Sequence, residues 1–431
     1  MTNQLESIET SDPLPRQTRV VIIGGGIVGV SAALTLAEQN IPVVLLEKGV
    51  IGGEQSSRNL GWIRKTNRHA DDVPLAQEAD RLWQQMPERI GRSVGYQQAG
   101  ILFAAETPAQ MAGYESWLES VASLSLGSRL MSSAEIQEKI PGGLKKWFGG
   151  VYTPSDGYAE PAQAAPAMAL AAQKQGATLV QSCAVRGLIT QQGRISGVVT
   201  EQGEIACEQV LLAGGAWSRR FLGCHGVELP SLPLICSVLR TQALEGPGGL
   251  AVAAPNFSFR KHQQGGYIIT QRGHLEAPIT LDHLKIGYRY LEQLKAQRQQ
   301  VSIRLGRHFF EDLRLARRWS SNQVSPFEQV RIQNPPANEK INLEALINLK
   351  SAWSQFAEAE IEESWAGVID VTPDSTPFID QVEKFPGLLV ATGFSGHGFG
   401  TGPAAGQLAA ELLMGATTCV DPSPYRFSRF N

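Results

Sequence analysis

The sequence predicts an α/β fold in two parts: a domain around a parallel sheet, assembled from separated segments, and a looser domain running between those segments. Three observations lead there. RVVIIGGGIVGVSAALTLAEQNIPVVLLE, from Arg19 to Glu47, reads as strand, glycine turn, helix and strand. A second compact Gly/Ala-rich stretch, LLVATGFSGHGFGTGPAAGQLAAELLMG, returns near the C-terminus. Between them the chain alternates between compact Gly/Ala/Val-rich pieces and more polar, irregular ones.

In chain order, residues 1–18 form a polar tail with neither a basic start nor an apolar run, so no signal peptide is read there. Val20 to Ile23 are a β-branched run suited to a buried parallel strand. Gly24, Gly26 and Gly29 then occupy the three positions of G-x-G-x-x-G. The first allows the tight turn, the second lets backbone approach a pyrophosphate, and the third lets helix and strand pack closely. The helix that follows offers free N–H groups to phosphate, here at Ile27 and Val28. Glu47 closes the second strand, where a carboxylate can accept from ribose hydroxyls. That acid disfavours a 2′-phosphate and leaves FAD or NAD ahead of NADP.

Further on, AQEADRLWQQM reads as an amphipathic helix, and PAQAAPAMALAAQKQG as another that ends at Gly176. TLVQSCAV, ISGVVTEQG, QVLLAGG and GYIITQ read as strands, and GYRYLEQLKAQRQQ as a long polar helix. The segments 19–78, 151–236 and 364–431 are assigned to the nucleotide domain, 79–150 and 237–363 to the second.

Bulk composition excludes several classes. The 431 residues are 42% hydrophobic and 18% charged, with formal net charge −3, so nothing favours nucleic acid as a partner. No run approaches the roughly 18 apolar residues of a membrane span. The five cysteines are widely spaced with no C-x-x-C pair, and the seven histidines show no metal-ligand spacing. A cytoplasmic chain is expected, at most peripheral to a membrane.

VVIIGGGIVGVSAALTLA, SDGYAEPAQAAPAMALAAQKQGA, VLLAGGAWS, WAGVIDVTPDSTPFID and GFSGHGFG together resemble the D-amino acid oxidase/sarcosine oxidase (DAO) family of FAD-dependent oxidoreductases. Within it, GEQSSRN followed by WAGVIDVTPD is similar to the branch of bacterial L-amino acid deaminases. The resemblance implies a two-dinucleotide-binding, Rossmann-like FAD domain built from discontinuous segments. It also implies an α+β substrate-binding domain with a mostly antiparallel sheet. The polar loop GEQSSRNLGW would run along the FAD pyrophosphate and ribityl. Cofactor contacts are implied at Glu47, Lys48, Gln55, Ser56, Ser57, Arg58, Asn59, Leu60 and Gly61, with Trp62 near the ring. Val185, Gly214, Gly215, Trp217 and Gly367 are added from the later segments. At the C-terminal turn, Gly393, Phe394, Gly396, His397, Gly398, Phe399 and Gly400 would aim a helix N-terminus at the negative charge of reduced flavin.

Two departures from the sarcosine oxidases matter. Gly400 stands where they carry a Lys after GHGF, and Gly367 or a neighbour where they tether flavin through a Cys. Non-covalent FAD is therefore expected, with the electron acceptor either oxygen or a respiratory quinone chain. The implied reaction is oxidation of a Cα–N bond by hydride transfer to flavin N5, the imine hydrolysing to a 2-oxo acid and ammonia. An Arg should clamp the substrate carboxylate. Ile369 and Asp370 stand where many D-amino acid dehydrogenases place it, so the role passes by resemblance to Arg272, with Arg260 second. Gln55, Phe394 and His397 are further candidates at the reacting centre, and Asp374 organises its loop. Secondary-amine or D-amino acid oxidation, an NAD-linked dehydrogenase and a non-catalytic flavoprotein subunit stand as alternatives. An oligomer is possible, and a hydrophobic face near residues 340–358 is read as core packing rather than a membrane contact.

Overall fold

The computed structural model describes residues 5–296 and 301–430. Its first sheet has six strands in the order Phe378–Gln381, Leu388–Thr392, Gln209–Leu212, Val20–Ile23, Val43–Leu46 and Thr178–Val180. Neighbouring strands run parallel except at the Phe378–Gln381 edge. These strands read as unbroken apolar runs because both faces are covered. Side chains alternate between two cores. Val20, Ile22, Val43, Leu45 and Leu211 meet the helices Ile27–Glu38, Pro161–Lys174 and Gly398–Met414. Val21, Val44, Leu46, Val210 and Leu212 face the other way, toward the antiparallel meander Val185–Ala206. The glycines of Gly398–Met414 bring it onto the nucleotide helix: a Cβ at Gly406 would lie 2.5 Å from Ser31 Cβ.

The second sheet has ten strands and is mostly antiparallel. Its long member Leu232–Thr241 pairs with Ile361–Val371 along nearly its whole length. The helix Glu339–Ala352 seals one face through Ile341, Ala345, Leu346 and Leu349, against Trp353 and Phe356. Residues 340–358 are thus mainly core, although Leu343 and Ile347 stay exposed.

Several expected boundaries move. The cut at 78/79 falls inside the helix Val73–Ile90, which buries Leu75, Ala79, Leu82 and Trp83 in the nucleotide-domain core. Its polar outer face had masked that allegiance. The cuts at 150/151, 236/237 and 363/364 run through or beside Gly149–Thr153, Leu232–Thr241 and Ile361–Val371, all strands of the second sheet. Long-range pairing, which composition does not report, decides their membership. TLVQSCAV splits into Thr178–Val180 and the start of Val185–Gln191, with Ser182 in a left-handed turn (φ 52°) between. In GYRYLEQLKAQRQQ a tight 3-10 turn at Gly287–Tyr290 leads into the helix Leu291–Ala296, and residues 297–300 lie outside the described residues. The N-terminal tail docks: Ile8 is buried, and Ser11 N donates to Leu179 O at 2.7 Å.

Candidate functional site

The glycine turn has the shape its spacing requires. Gly24 lies at φ +113°, where a Cβ would come within 2.4 Å of Ala213 O, and a Cβ on Gly29 would reach 2.0 Å from Gly24 O. A Cβ on Gly26, by contrast, would meet only Ser56 Oγ, at 3.1 Å. Backbone closeness fixes the first and third glycines, while the second faces open space in front of the helix. Ile27 N donates to Ser56 Oγ at 2.8 Å, so the loop after the second strand already caps that helix. Glu47 braces the turn, accepting from Gly25 N and Gly49 N, both at 2.7 Å. Burial pushes its carboxyl up, against the opposing effect of Lys48. Replacing Gly29 by Ala is expected to cost at least about 2 kcal/mol and to lower the flavin:protein ratio of purified protein sharply. Denaturation and absorbance measurements check the two effects.

One continuous cavity runs from this turn to the C-terminal glycine loop. Among the expected cofactor residues, Gly24, Gly26, Ile27, Val28, Glu47, Lys48, Gln55, Ser56, Asn59, Val185, Gly214, Gly215, Trp217, Phe394, Gly396, Gly398 and Phe399 line it. The fit to FAD rests on more than this list. Gln55 Oε1 is buried with no partner among the described residues, an acceptor left for a ligand N–H. Glu54, unmarked in the sequence reading, fixes the wall by accepting from Lys48 Nζ (2.6 Å) and from Trp217 Nε1 (3.1 Å).

Other expected residues do not line the cavity. Ser57 Oγ donates to Glu54 O, and Arg58 donates to Gly53 O, Ala366 O and Asn334 Oδ1. Arg58 is therefore a tie between its loop and the strand Ile361–Val371, not a phosphate ligand. Leu60 and Gly61 are supports: Leu60 O accepts from Arg260 Nε, and Gly61, at φ +83°, has no room for a Cβ against Ala159 O. Gly367 packs on Gln55, whose Oε1 a Cβ would approach to 2.2 Å. Gly400 abuts Trp62 O, at 2.7 Å from a Cβ, which leaves no space for a longer side chain. Gly393 sits at φ +77°, and its N–H donates to Asp370 Oδ2 at 2.5 Å. Asp370 also accepts from Thr392 Oγ1, and burial raises its pKa, so this acid shapes the C-terminal turn. Asp374, as expected of a loop organiser, accepts from Thr376 N and Arg429 Nε.

His397 is the N-cap residue of the helix Gly398–Met414. Its Nε2 lies 3.1 Å from Arg64 Nη2. A guanidinium only donates, so Nε2 accepts and the ring is neutral with its proton on Nδ1. Burial, then Arg68 and Arg64, hold its pKa well below the ordinary value, so it shapes the turn and adds no charge.

The two candidate clamps separate cleanly. Arg260 is 1% exposed and forms a two-pronged pair with Glu160, both contacts at 2.8 Å, which removes it as a substrate ligand. Arg272 has no carboxylate partner among the described residues. Its Nη1 lies 3.4 Å from Ala254 O, and its guanidinium sits 4.9 Å from the centre of the Phe103 ring. Burial lowers its pKa, with Tyr114 opposing. Arg64, which sequence reasoning missed, approaches the same ring at 5.5 Å. A basic residue two positions after Trp62 was its only sequence signal.

A nucleotide turn, a second glycine turn at the far end of one cavity and an arginine just past an antiparallel strand, with no carboxylate partner among the described residues, define a flavoprotein oxidoreductase. The chain belongs to the DAO family of FAD dependent oxidoreductases, whose model matches residues 19–412. It is similar to the L-amino acid deaminase from Proteus myxofaciens, solved in complex with anthranilate, at 31% identity and TM-score 0.95, over 99% of this chain and 97% of that one. The L-amino acid deaminase from Proteus vulgaris matches at 31% identity and TM-score 0.93, over 98% and 100% of the two chains. Glycine oxidase of Pseudomonas putida is 25% identical over 94% of this chain and 97% of its own. Other curated relatives are longer: the chain spans 25% of the mouse pyruvate dehydrogenase phosphatase regulatory subunit and 44% of human dimethylglycine dehydrogenase. No helix among the described residues is long and apolar enough to cross a membrane.

Proposed function

We propose that the protein oxidises the Cα–N bond of an amino acid, in the manner of an L-amino acid deaminase or dehydrogenase. Arg272 carries this reading: a half-buried guanidinium just past the strand Tyr267–Thr270, over the Phe103 ring and without a carboxylate partner among the described residues. When bound, FAD supplies the two-electron acceptor. Arg272 holds the substrate carboxylate in two-pronged fashion and so fixes which face of Cα is presented. Gln55 Oε1, in the cavity wall, is left to accept an N–H. The N-terminus of the helix Gly398–Met414, capped by neutral His397, sets the positive end of a dipole there. The substrate loses a hydride from Cα and a proton from nitrogen. Water then releases ammonia from the imine, leaving a 2-oxo acid.

Gly367 and Gly400, in place of a tether and a lysine, support non-covalent FAD and an acceptor other than oxygen. The test is an anaerobic visible spectrum of the purified protein with pooled L-amino acids, then pooled D-amino acids. Loss of the flavin band with the L pool is expected. A band that persists with both pools overturns the reading. Acid precipitation of the same sample should leave the yellow colour in the supernatant, whereas a coloured pellet would show a covalent bond.

A further inference from the structure

Two guanidiniums lie over Phe103: Arg272 at 4.9 Å and Arg64 at 5.5 Å from the ring centre. They come from different elements. Arg64 follows the short strand Trp62–Ile63, and Arg272 follows the strand Tyr267–Thr270 of the large sheet. Each is held on one side only. Arg64 donates from Nη1 to Thr66 O and Asn67 O, and from Nη2 to His397 Nε2, while its Nε–H and remaining Nη2–H have no acceptor among the described residues. Arg272 reaches Ala254 O and the Tyr114 hydroxyl. Both side chains are half-buried.

The acids nearby are engaged elsewhere. Asp72 pairs with Arg68 at 2.6 Å, and Asp80 with Lys65 at 2.6 Å. Asp156 accepts from Lys65 N and from Thr66 N and Oγ1. No carboxylate among the described residues forms an ion pair with Arg64 or Arg272. Neighbouring like charges add to the cost of burial: desolvation, then Arg68 and Arg272, push the Arg64 guanidinium down to about 9. Unpaired buried cations of this kind mark a place where an anion is expected to arrive.

We propose that the site selects an amine bearing two carboxylates, one gripped by Arg272 and the other by Arg64. This deepens the proposed function and rests on it. A second carboxylate suits this geometry better than shared grip of one, because the two forks are anchored by separate elements and Arg64 is turned by its bonds to His397 and its own loop. The second carboxylate is carried either on the side chain, as in L-aspartate and L-glutamate, or on nitrogen, as in iminodiacetate. The shared chemistry is an anion at each end of the reacting centre.

Binding of glutarate and of butyrate to the FAD-loaded protein, measured by calorimetry, tests the site without turnover. Glutarate is expected to bind at least tenfold more tightly. In Arg64→Gln the ratio should collapse to within about twofold, and in Arg64→Lys, which keeps the charge and serves if the Gln variant misfolds, it should fall but stay above the Gln value. Equal binding of the two acids by the wild type overturns the proposal. So does a loss in Arg64→Gln that is the same for both acids, the signature of two arginines on one carboxylate or of a structural role. Turnover then separates sources: kcat/KM for L-glutamate, L-aspartate and iminodiacetate against L-leucine shows which atom bears the second carboxylate. If glutarate is preferred but no amine bleaches the flavin, the oxidoreductase reading fails while the two-anion site stands.

Discussion

Replacing Arg272 by leucine is expected to lower kcat/KM for any carboxylate-bearing substrate by roughly 30- to 5,000-fold, the equivalent of about 2–5 kcal/mol. The loss should fall on both binding and turnover, since a carboxylate that is not held leaves Cα free to present the wrong hydrogen. The same substitution should leave the ligand-free protein as stable as before, or more so, because a desolvated guanidinium without an ion-pair partner contributes nothing to the fold. That opposition of sign separates a binding arginine from a structural one. Steady-state kinetics and thermal denaturation of the same preparation check it. A variant that melts early would instead place Arg272 among the supports of the sheet, where its contacts with Phe103 and Tyr114 would then carry the explanation.

What the sequence made legible follows from how local each constraint is. Gly24, Gly29 and Glu47 could be read because strand, turn and helix lie within thirty residues and the steric demand is made by near neighbours. The C-terminal glycine turn into the helix Gly398–Met414 was readable for the same reason. Arg58 was misplaced because its direction is set by Asn334 and Ala366, far along the chain, which pull it away from the cavity. Arg64 and Phe103 escaped because neither belongs to a motif; they meet only when Trp62–Ile63 and Ile101–Ala105 are brought together by the fold, which also sets Arg64 beside His397. The domain limits failed where strands from both ends of a segment joined one sheet, as Leu232–Thr241 and Ile361–Val371 do. Alternation along those strands shows burial, not partnership.

Arg260 and Arg272 illustrate the same point and supply the sharpest stability test. Both follow apolar strand residues of adjacent segments, and nothing local tells which is free; Glu160, a hundred positions before Arg260, decides it. Glu160→Leu is expected to destabilise the protein by about 3–5 kcal/mol, since it strands a guanidinium that is 1% exposed. Because Arg260 also donates to Leu60 O beside Gly61, the damage should spread to the loop carrying Gln55 and Ser56, and flavin should be lost at lower denaturant than in the wild type. The double variant Glu160→Leu/Arg260→Met removes both charges and should recover most of the stability, whereas the loop contact stays lost. The pH dependence has a definite sign. Burial would raise the Glu160 carboxyl, but Arg260 outweighs it and holds the folded-state pKa below the ordinary value. The pair's contribution is then fully present above the unfolded glutamate value of about 4.3 and disappears as pH falls through the lower folded value. Wild-type stability should therefore fall more steeply below that pH than stability of the double variant. Denaturation midpoints at matched pH values measure the difference; parallel curves would mean that the Glu160–Arg260 pair is not what holds the loop.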